Sequence, residues 1–230
     1  INFYFCLMFW KTARRSLSLD KTLVMGILNV TPDSFSDGGR TFSLEDALRR
    51  TEEMAEQGAD IIDVGGESTR PGSSQMSLEE ETGRVLPVIE AITKRFDIPV
   101  SVDTSKAEVA DAAMDAGAEI INDVSGLQFD PRIADVAVRR KAGLVLMHLR
   151  GTFETMHKQQ PVANIFHEVI TFFRSSIDSA GSAGIRHEAI VLDPGIGFSK
   201  AFEQNLELLA NLDRLVNEFP DHPFLIGTSR

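Results

Sequence analysis

The chain has 230 residues, of which 43% are hydrophobic, enough to build one sizeable domain with a full core. Its net charge of −11 argues against nucleic acid or an anionic membrane as a partner, because an acidic surface attracts neither. A single cysteine, Cys6, excludes an internal disulfide and favours a reducing, cytoplasmic location. An anionic substrate would therefore have to be bound locally, by a metal ion or a few arginines.

The first ten residues, INFYFCLMFW, form an apolar run that is too short to span a bilayer. The nearest basic residues follow this run rather than precede it, unlike those of an intact signal peptide. The remnant of a signal peptide is one interpretation. We instead expect residues 1–22 to be an N-terminal extension or a hairpin at the bottom of the fold, and residues 23–230 to form one domain.

Short apolar, β-rich runs recur along the chain, and each ends on one polar residue. Segments that read as amphipathic helices separate them, which is typical of an α/β fold with parallel strands. An open doubly wound sheet would share this alternation, but its functional residues would cluster at one switch point. Polar residues after nearly every strand favour a (β/α)8 barrel instead. The runs are 24–29, 60–63, 99–103, 119–122, 143–148, 189–193 and 223–229.

Local signals mark where the helices begin and end. Ser43 and Ser77 each precede an acidic residue by three positions, which is the spacing of a helix N-cap. A faint repeat, GADIID at 58–63 and GAEIIN at 117–122, places a helix-ending glycine before each of two strands. Pro87 falls inside a helical run and predicts a kink or a late start.

Three carboxylates and one amide stand at the ends of the second, third, fourth and sixth predicted strands: Asp63, Asp103, Asn122 and Asp193. A carboxylate can accept two parallel hydrogen bonds from a planar heterocycle that has adjacent ring N–H and NH₂ groups, and an asparagine can both donate and accept. Several carboxylates at one mouth would equally suit a metal ion. The sequence therefore predicts a heterocycle-binding or metal-binding site.

Two polar loops follow the first two predicted strands. The loop 29–40 begins with Asn29 and could close over an anion or hold a divalent metal through oxygen ligands. The loop 65–72 contains Arg70, whose guanidinium suits a carboxylate or phosphate, although Glu67 could merely neutralise it. His148 ends another strand, but a buried structural histidine is at least as good an interpretation as a catalytic base.

In chain order, these motifs closely resemble those of dihydropteroate synthase, a pterin-binding enzyme family. The resemblance covers the chain from about Leu23 to its last residue. The motifs are MGILNVTPDSFSDGG (25–39), IIDVGGESTRPG (61–72), PVSVDTSK (99–106), EIINDVSG (119–126), LMHLRGT (146–152), LDPGIGFSK (192–200) and FLIGTSR (224–230).

The resemblance implies an enzyme that joins p-aminobenzoate to 6-hydroxymethyl-7,8-dihydropterin diphosphate and releases pyrophosphate, in folate biosynthesis. It implies a homodimer, small-molecule substrates, and competition by sulfonamides that mimic p-aminobenzoate. Asp103 would stabilise a pterin methylene cation, and Arg70 would assist catalysis. The implied pterin contacts are Asp63, Asp103, Asn122, Met147 and Asp193, the implied p-aminobenzoate contacts are Thr69, Arg70, Pro71, Phe198 and Ser229, and Asn29 would hold Mg²⁺.

The chain departs from the family pattern in a few places. It stops at Arg230, before the expected eighth strand, so we expect about seven strand units, a truncated barrel and little activity in the isolated 230 residues. Arg150, Phe153 and Ser199 stand where other residues are usual, in the loops after the fifth and sixth predicted strands.

Two other functions compete with the synthase. A methyltransferase domain that takes a methyl group from a folate would share the barrel and the pterin-reading Asp and Asn residues. The loops NVTPDSFSDGG and ESTRPG disfavour it, because a methyl donor needs neither a diphosphate site nor an aminobenzoate site. The third interpretation is an inactive, degenerate pterin-binding module, which the intact motif set disfavours.

Overall fold

The computed structural model describes residues 8–30, 43–68 and 75–228. Its strands are β1 (Phe9–Lys11), β2 (Ser16–Ser18), β3 (Met25–Asn29), β4 (Ile61–Gly65), β5 (Val100–Asp103), β6 (Ile120–Asp123), β7 (Gly143–Met147) and β8 (Ile190–Asp193). Its helices are α1 (Leu44–Glu56), α2 (Leu78–Arg95), α3 (Ala107–Asp115), α4 (Ile133–Arg140), α5 (Ile165–Ala183), α6 (Phe202–Ala210) and α7 (Leu212–Glu218).

Strands β3 to β8 form one parallel sheet in which the spatial order equals the chain order. One or more helices follow each strand, so each connection crosses from one strand to its immediate neighbour. A doubly wound sheet would reverse direction at a switch point, and this sheet does not. The strand order is therefore that of a (β/α) barrel, as the sequence predicts.

In the described part of the seventh predicted strand, residues 223–228, one parallel bridge joins Leu192 and Phe224. The Leu192 N–H donates to the Pro223 carbonyl at 2.9 Å, and the Leu225 N–H donates to the Leu192 carbonyl at 2.9 Å. The segment thus lies beside β8 in the order that the sequence predicts, with shorter pairing.

The helix ends follow the local signals in the sequence. The Ser43 hydroxyl accepts from the Asp46 N–H at 3.1 Å, and the Ser77 hydroxyl accepts from the Glu80 N–H at 3.2 Å. The repeated glycines Gly58 and Gly117 have φ of 100° and 108°, which a residue with a side chain rarely adopts. Helix α2 begins at Leu78 and runs through Pro87, so the late start does not occur.

Two apolar layers hold the sheet. The larger core lies between the strands and the helices, and the smaller one contacts the inner face near the strand beginnings. Trp10 of β1 is 3% exposed within the inner cluster, and its Nε1 donates to the Ala189 carbonyl at 2.9 Å. Because Ala189 precedes β8, the β1–β2 hairpin covers the amino ends of the strands and leaves the carboxyl ends to other groups. No helix in the described part of the chain is both long and apolar enough to cross a membrane.

Candidate active site

The register of the sheet places three predicted strand-end residues in one row with Gly65, where β4 ends two residues later than the sequence predicts. Asn29 pairs with Gly65, Gly65 with Asp103, and Asp103 with Asn122, across β3, β4, β5 and β6. Paired residues in neighbouring strands point to the same face, so these side chains share one side of the sheet. The row lies at the carboxyl ends of the strands, where barrel enzymes place their active sites.

Asp63 lies one step deeper than this row and is only 3% exposed. Its Oδ2 accepts a hydrogen bond from Asn122 Nδ2 at 3.0 Å, whereas its Oδ1 has no partner among the described residues. Burial raises the pKa of Asp63, and the nearby Ser101 hydroxyl and the bond from Asn122 oppose that rise. A buried acceptor without a donor is a site that a ligand N–H can fill.

Asp103 lies in the most acidic part of the site. Its pKa is raised well above the usual range, first by burial and then by the nearby carboxylates of Asp63, Glu81, Glu67 and Asp123. Positive charge that arrives or forms beside Asp103 would relieve this repulsion. The arrangement therefore suits a cationic or N–H-rich ligand better than a second anion.

Asp193 and Met147 occupy neighbouring positions at the ends of β8 and β7. Asp193 is 7% exposed, and its Oδ1 accepts from the Gly195 N–H at 2.7 Å. Burial raises the pKa of Asp193 to about 6, against the opposing effects of that hydrogen bond and of Lys200. Met147 is buried and leads into an apolar cluster above the sheet.

The apolar cluster forms one wall of the mouth. Phe198, which is partly exposed, packs with it from the loop after β8. An apolar wall opposite a row of hydrogen-bonding groups suits a flat ligand that stacks on one side and bonds at its edge. The cluster contains Met147, Leu149, Phe153 and Met156, with Val124, Phe129 and Phe198 against it.

A buried ionic network beside Asp103 was not predicted from the sequence. Lys106 Nζ donates to both Glu67 oxygens at 3.2 Å and to Glu81 Oε2 at 2.5 Å. Glu81 is fully buried, and Thr104 donates to its Oε1 at 2.6 Å. Glu67 also accepts from the Met76 N–H. Lys106 is the last residue of the motif PVSVDTSK. A lysine in a loop is usually exposed to solvent, so nothing in the sequence distinguishes Lys106 as a buried charge.

His148 lies on the helix side of β7 rather than in the mouth. It is fully buried, and its ring meets Phe172 of α5 edge-on with 4.8 Å between centroids. Neither ring nitrogen has a hydrogen-bond partner among the described residues, and burial holds the pKa of His148 well below its usual range. The position of the ring against α5, away from the row of strand-end groups, supports the structural interpretation, but the backbone bond to the ring that this interpretation included is not present among the described residues.

A divalent cation has two oxygen donors available at the start of the row. A side-chain carbon built on Gly65 would lie 3.2 Å from Asp103 Oδ2 and 3.4 Å from Asn29 Oδ1, so only a glycine leaves this space open. An amide and a carboxylate oxygen are ligands that Mg²⁺ accepts when substrate phosphates and water complete its shell. Among the described residues, no group of three or more His, Cys, Asp or Glu side chains is arranged to hold a metal by itself.

Four of the predicted site residues, Thr69, Arg70, Pro71 and Ser229, lie outside the described residues. The structure brings the other predicted groups to one end of the sheet: Asn29, Asp63, Asp103, Asn122, Met147, Asp193 and Phe198.

Comparison with known proteins agrees with this geometry. The profile of the family described as pterin binding enzyme matches residues 25–230. A curated relative from Synechocystis, named dihydropteroate synthase, is 48% identical over 210 residues, which cover 91% of this chain and 72% of the relative. This chain belongs to the dihydropteroate synthases of the pterin-binding enzyme family.

Solved structures of other dihydropteroate synthases share the fold. The Yersinia pestis enzyme in a sulfonamide drug complex superposes with a TM-score of 0.89 at 42% identity, over 96% of this chain and 80% of that one. The Xanthomonas albilineans enzyme with 4-aminobenzoic acid gives a TM-score of 0.88 at 42% identity, over 96% of this chain and 78% of that one.

Proposed function

We infer that this chain carries the dihydropteroate synthase activity of its family, the condensation of 6-hydroxymethyl-7,8-dihydropterin diphosphate with p-aminobenzoate. The observation that carries this conclusion is the convergence of Asp63, Asp103, Asn122 and Asp193 at the carboxyl end of one parallel sheet, next to an apolar wall. This set matches a flat heterocycle that presents several N–H groups along its edge.

In this proposal the pterin lies between the row and the wall. Asp193 accepts from the ring N–H and amino groups, and Asn122 both donates and accepts. The unpartnered Oδ1 of Asp63 offers a further acceptor deeper in the site. Met147 packs against the ring face. Each contact satisfies a buried polar atom or covers an apolar one.

Asn29 and Asp103 are the described residues that would hold Mg²⁺ near the diphosphate. When bound, the ion would neutralise charge on the leaving diphosphate. The remaining events involve only the substrates and residues of this chain. The C–O bond to the diphosphate breaks, and its electron pair leaves with the diphosphate. The resulting pterin methylene cation lies near Asp103, and its positive charge both favours the ionised form of that carboxyl group and is stabilised by it.

The aminobenzoate nitrogen then attacks the methylene carbon with its lone pair and loses a proton to solvent. Phe198 supports the aromatic ring of this second substrate. Thr69, Arg70, Pro71 and Ser229 complete the aminobenzoate side in this proposal, and Arg70 assists departure of the diphosphate. Sulfonamides, which mimic aminobenzoate, would compete there, as the Yersinia pestis complex suggests by analogy. Homodimer formation and a cytoplasmic location stay predictions.

The test uses the protein expressed from its complete gene, with pterin diphosphate, Mg²⁺ and p-aminobenzoate. We expect aminobenzoate-dependent formation of dihydropteroate. Asp103→Asn should lower kcat by about 100-fold or more, because it removes a charge aimed at the developing cation. Asp97→Asn is the matched control, since the Asp97 side chain is 95% exposed, and it should leave kcat within about twofold.

Full turnover by Asp103→Asn would refute the cation-stabilising role. A folded wild-type protein that binds pterin but forms no dihydropteroate would refute the synthase assignment.

A further inference from the structure

The ammonium of Lys200 lies inside the loop that joins β8 to α6. Its Nζ donates to the carbonyls of Gly195 at 2.8 Å and Phe198 at 3.0 Å, and more weakly to that of His148 at 3.4 Å. The first two carbonyls belong to the loop itself, and the third follows the neighbouring strand β7. One ammonium group therefore hydrogen-bonds to the backbone carbonyls of two loops.

This charge is held at an energetic cost. Burial lowers the pKa of Lys200 to about 7, even though the Asp193 carboxylate attracts the proton. The nearby guanidinium of Arg150 lowers it further. An ammonium that costs free energy to bury, in contact with a binding site, is a candidate for a functional role.

The loop is tightly curled around the ammonium. Gly195, Gly197 and Ser199 have φ of 64°, 89° and 51°, all in the left-handed region. A side-chain carbon on Gly195 would lie 2.2 Å from the His148 carbonyl oxygen, so the two backbones touch. The curl leaves little room for the loop to shift without breaking these contacts.

A second cationic group ties the same two loops. The Arg150 N–H donates to Ser199 Oγ at 2.9 Å, and its Nε donates to the Ser199 carbonyl at 3.1 Å. Its Nη1 and Nη2 reach the Gln160 carbonyl, each at 3.0 Å. Arg150 and Ser199, which departed separately from the family pattern in the sequence, are therefore partners in the structure.

The curled loop contains one residue of the proposed pterin site, Asp193, and one residue of the proposed aminobenzoate site, Phe198. Asp193 opens it and bonds to the Gly195 N–H at 2.7 Å, and Phe198 lies near its other end. We propose that Lys200 is a positioning residue that fixes Asp193 and Phe198 relative to each other, and so fixes the pterin and aminobenzoate sites together. The proposal rests on the proposed function and assigns Lys200 no contact with substrate.

The test compares Lys200→Met with Lys94→Met, a control whose side chain is 75% exposed and paired with Glu90 on α2. Two constants are measured: the Kd for pterin by calorimetry and the KM for aminobenzoate by turnover. We expect Lys200→Met to raise both by about tenfold or more, because each group loses its fixed position. Lys94→Met should leave both within about twofold.

A double-mutant cycle separates positioning from general damage. Phe198→Ala should raise the aminobenzoate KM and leave the pterin Kd unchanged. Adding Lys200→Met to Phe198→Ala should raise that KM by less than about twofold, because Lys200 acts on it through Phe198. If the KM of the double variant rose by the product of the two single-variant increases, the proposal would be overturned. A fall in kcat alone, with the pterin Kd and the aminobenzoate KM unchanged, would also overturn it.

Lys200→Gln keeps the inference testable if Lys200→Met does not fold. It retains a polar side chain that can donate to a loop carbonyl and removes the ammonium. We expect increases of about threefold in both constants, and unchanged constants would overturn the proposal. A wild-type protein without pterin binding or product would refute the proposed function itself, whereas an active wild type with unaltered Lys200→Met would refute the positioning role alone.

Discussion

At the residue scale, the site consists of carboxylates that are buried before any ligand arrives. Burial raises the pKa of Asp63, Asp103 and Asp193, and neighbouring negative charges raise that of Asp103 further. The ionised form of each carboxyl group is therefore less stable here than it would be in water. A ligand that donates N–H groups or brings positive charge recovers that free energy, which helps to explain why the acidic residues are tolerated together.

The raised pKa of Asp193 predicts a pH dependence of pterin binding. The charged carboxylate accepts two N–H groups, so affinity should be highest near pH 7, where Asp193 is ionised and Lys200, with a pKa of about 7, still keeps part of its positive charge. Below the folded-state pKa of about 6, affinity should fall towards tenfold per pH unit as Asp193 takes up a proton. Calorimetric titration with pterin between pH 5 and 8 measures this.

The control for this prediction is Asp193→Asn, which should bind weakly and lack the step near pH 6. An equal wild-type affinity at pH 5 and pH 7 would contradict the role of Asp193 as a charged acceptor.

At the scale of elements, buried charges join loops that local sequence signals describe as independent. Lys106, at the start of α3, connects Glu67 after β4 to Glu81 in α2. In the sequence, Glu81 reads only as one of several acids in the first turn of a helix. Its partner is 25 residues away along the chain, so helix propensity and capping contain no information about the pair.

Loss of the cation from this network should be strongly destabilising. Lys106→Met would leave the fully buried Glu81 carboxylate without its positive partner, at a cost of about 3–5 kcal/mol in the free energy of unfolding. Urea denaturation followed by circular dichroism measures that free energy. Lys94→Met, which breaks an exposed pair, should cost no more than about 0.5 kcal/mol. Equal effects of the two substitutions would contradict the prediction.

At the scale of the whole molecule, the two ends of the sheet are occupied by different groups. The β1–β2 hairpin covers the amino ends through Trp10, and the predicted site occupies the carboxyl ends. Glu119, which immediately precedes β6, is fully buried and accepts from Thr12 and Arg15 of the hairpin connection at 2.7 and 2.9 Å. The contacts of the hairpin thus lie at the opposite end of the sheet from the predicted ligand-binding groups.

Because the hairpin lies far from the predicted site, we expect substitutions in the hairpin to lower stability without weakening pterin binding. Trp10→Ala should cost about 3–5 kcal/mol in the free energy of unfolding, because it empties a buried aromatic position. Trp10→Phe should cost about 1–2 kcal/mol, since it keeps most of the packing and loses the bond to the Ala189 carbonyl. The pterin Kd should change by less than about threefold in either folded variant. Denaturation and calorimetry on the same samples check both statements, and a Trp10→Phe protein with much weaker pterin binding would contradict this expectation.

The sequence by itself determined the alternation of strands and helices, the helix caps at Ser43 and Ser77, and the polar residues at the strand ends, because each depends on neighbours within a few positions. Its motifs also identified the family. Only the tertiary structure decided that Asn122 bonds to Asp63, that Lys106 neutralises Glu81, and that Arg150 and Lys200 bind the loops after β7 and β8 together. Those contacts join residues that are far apart along the chain, and their geometry depends on strand register and loop curvature, which no local pattern encodes.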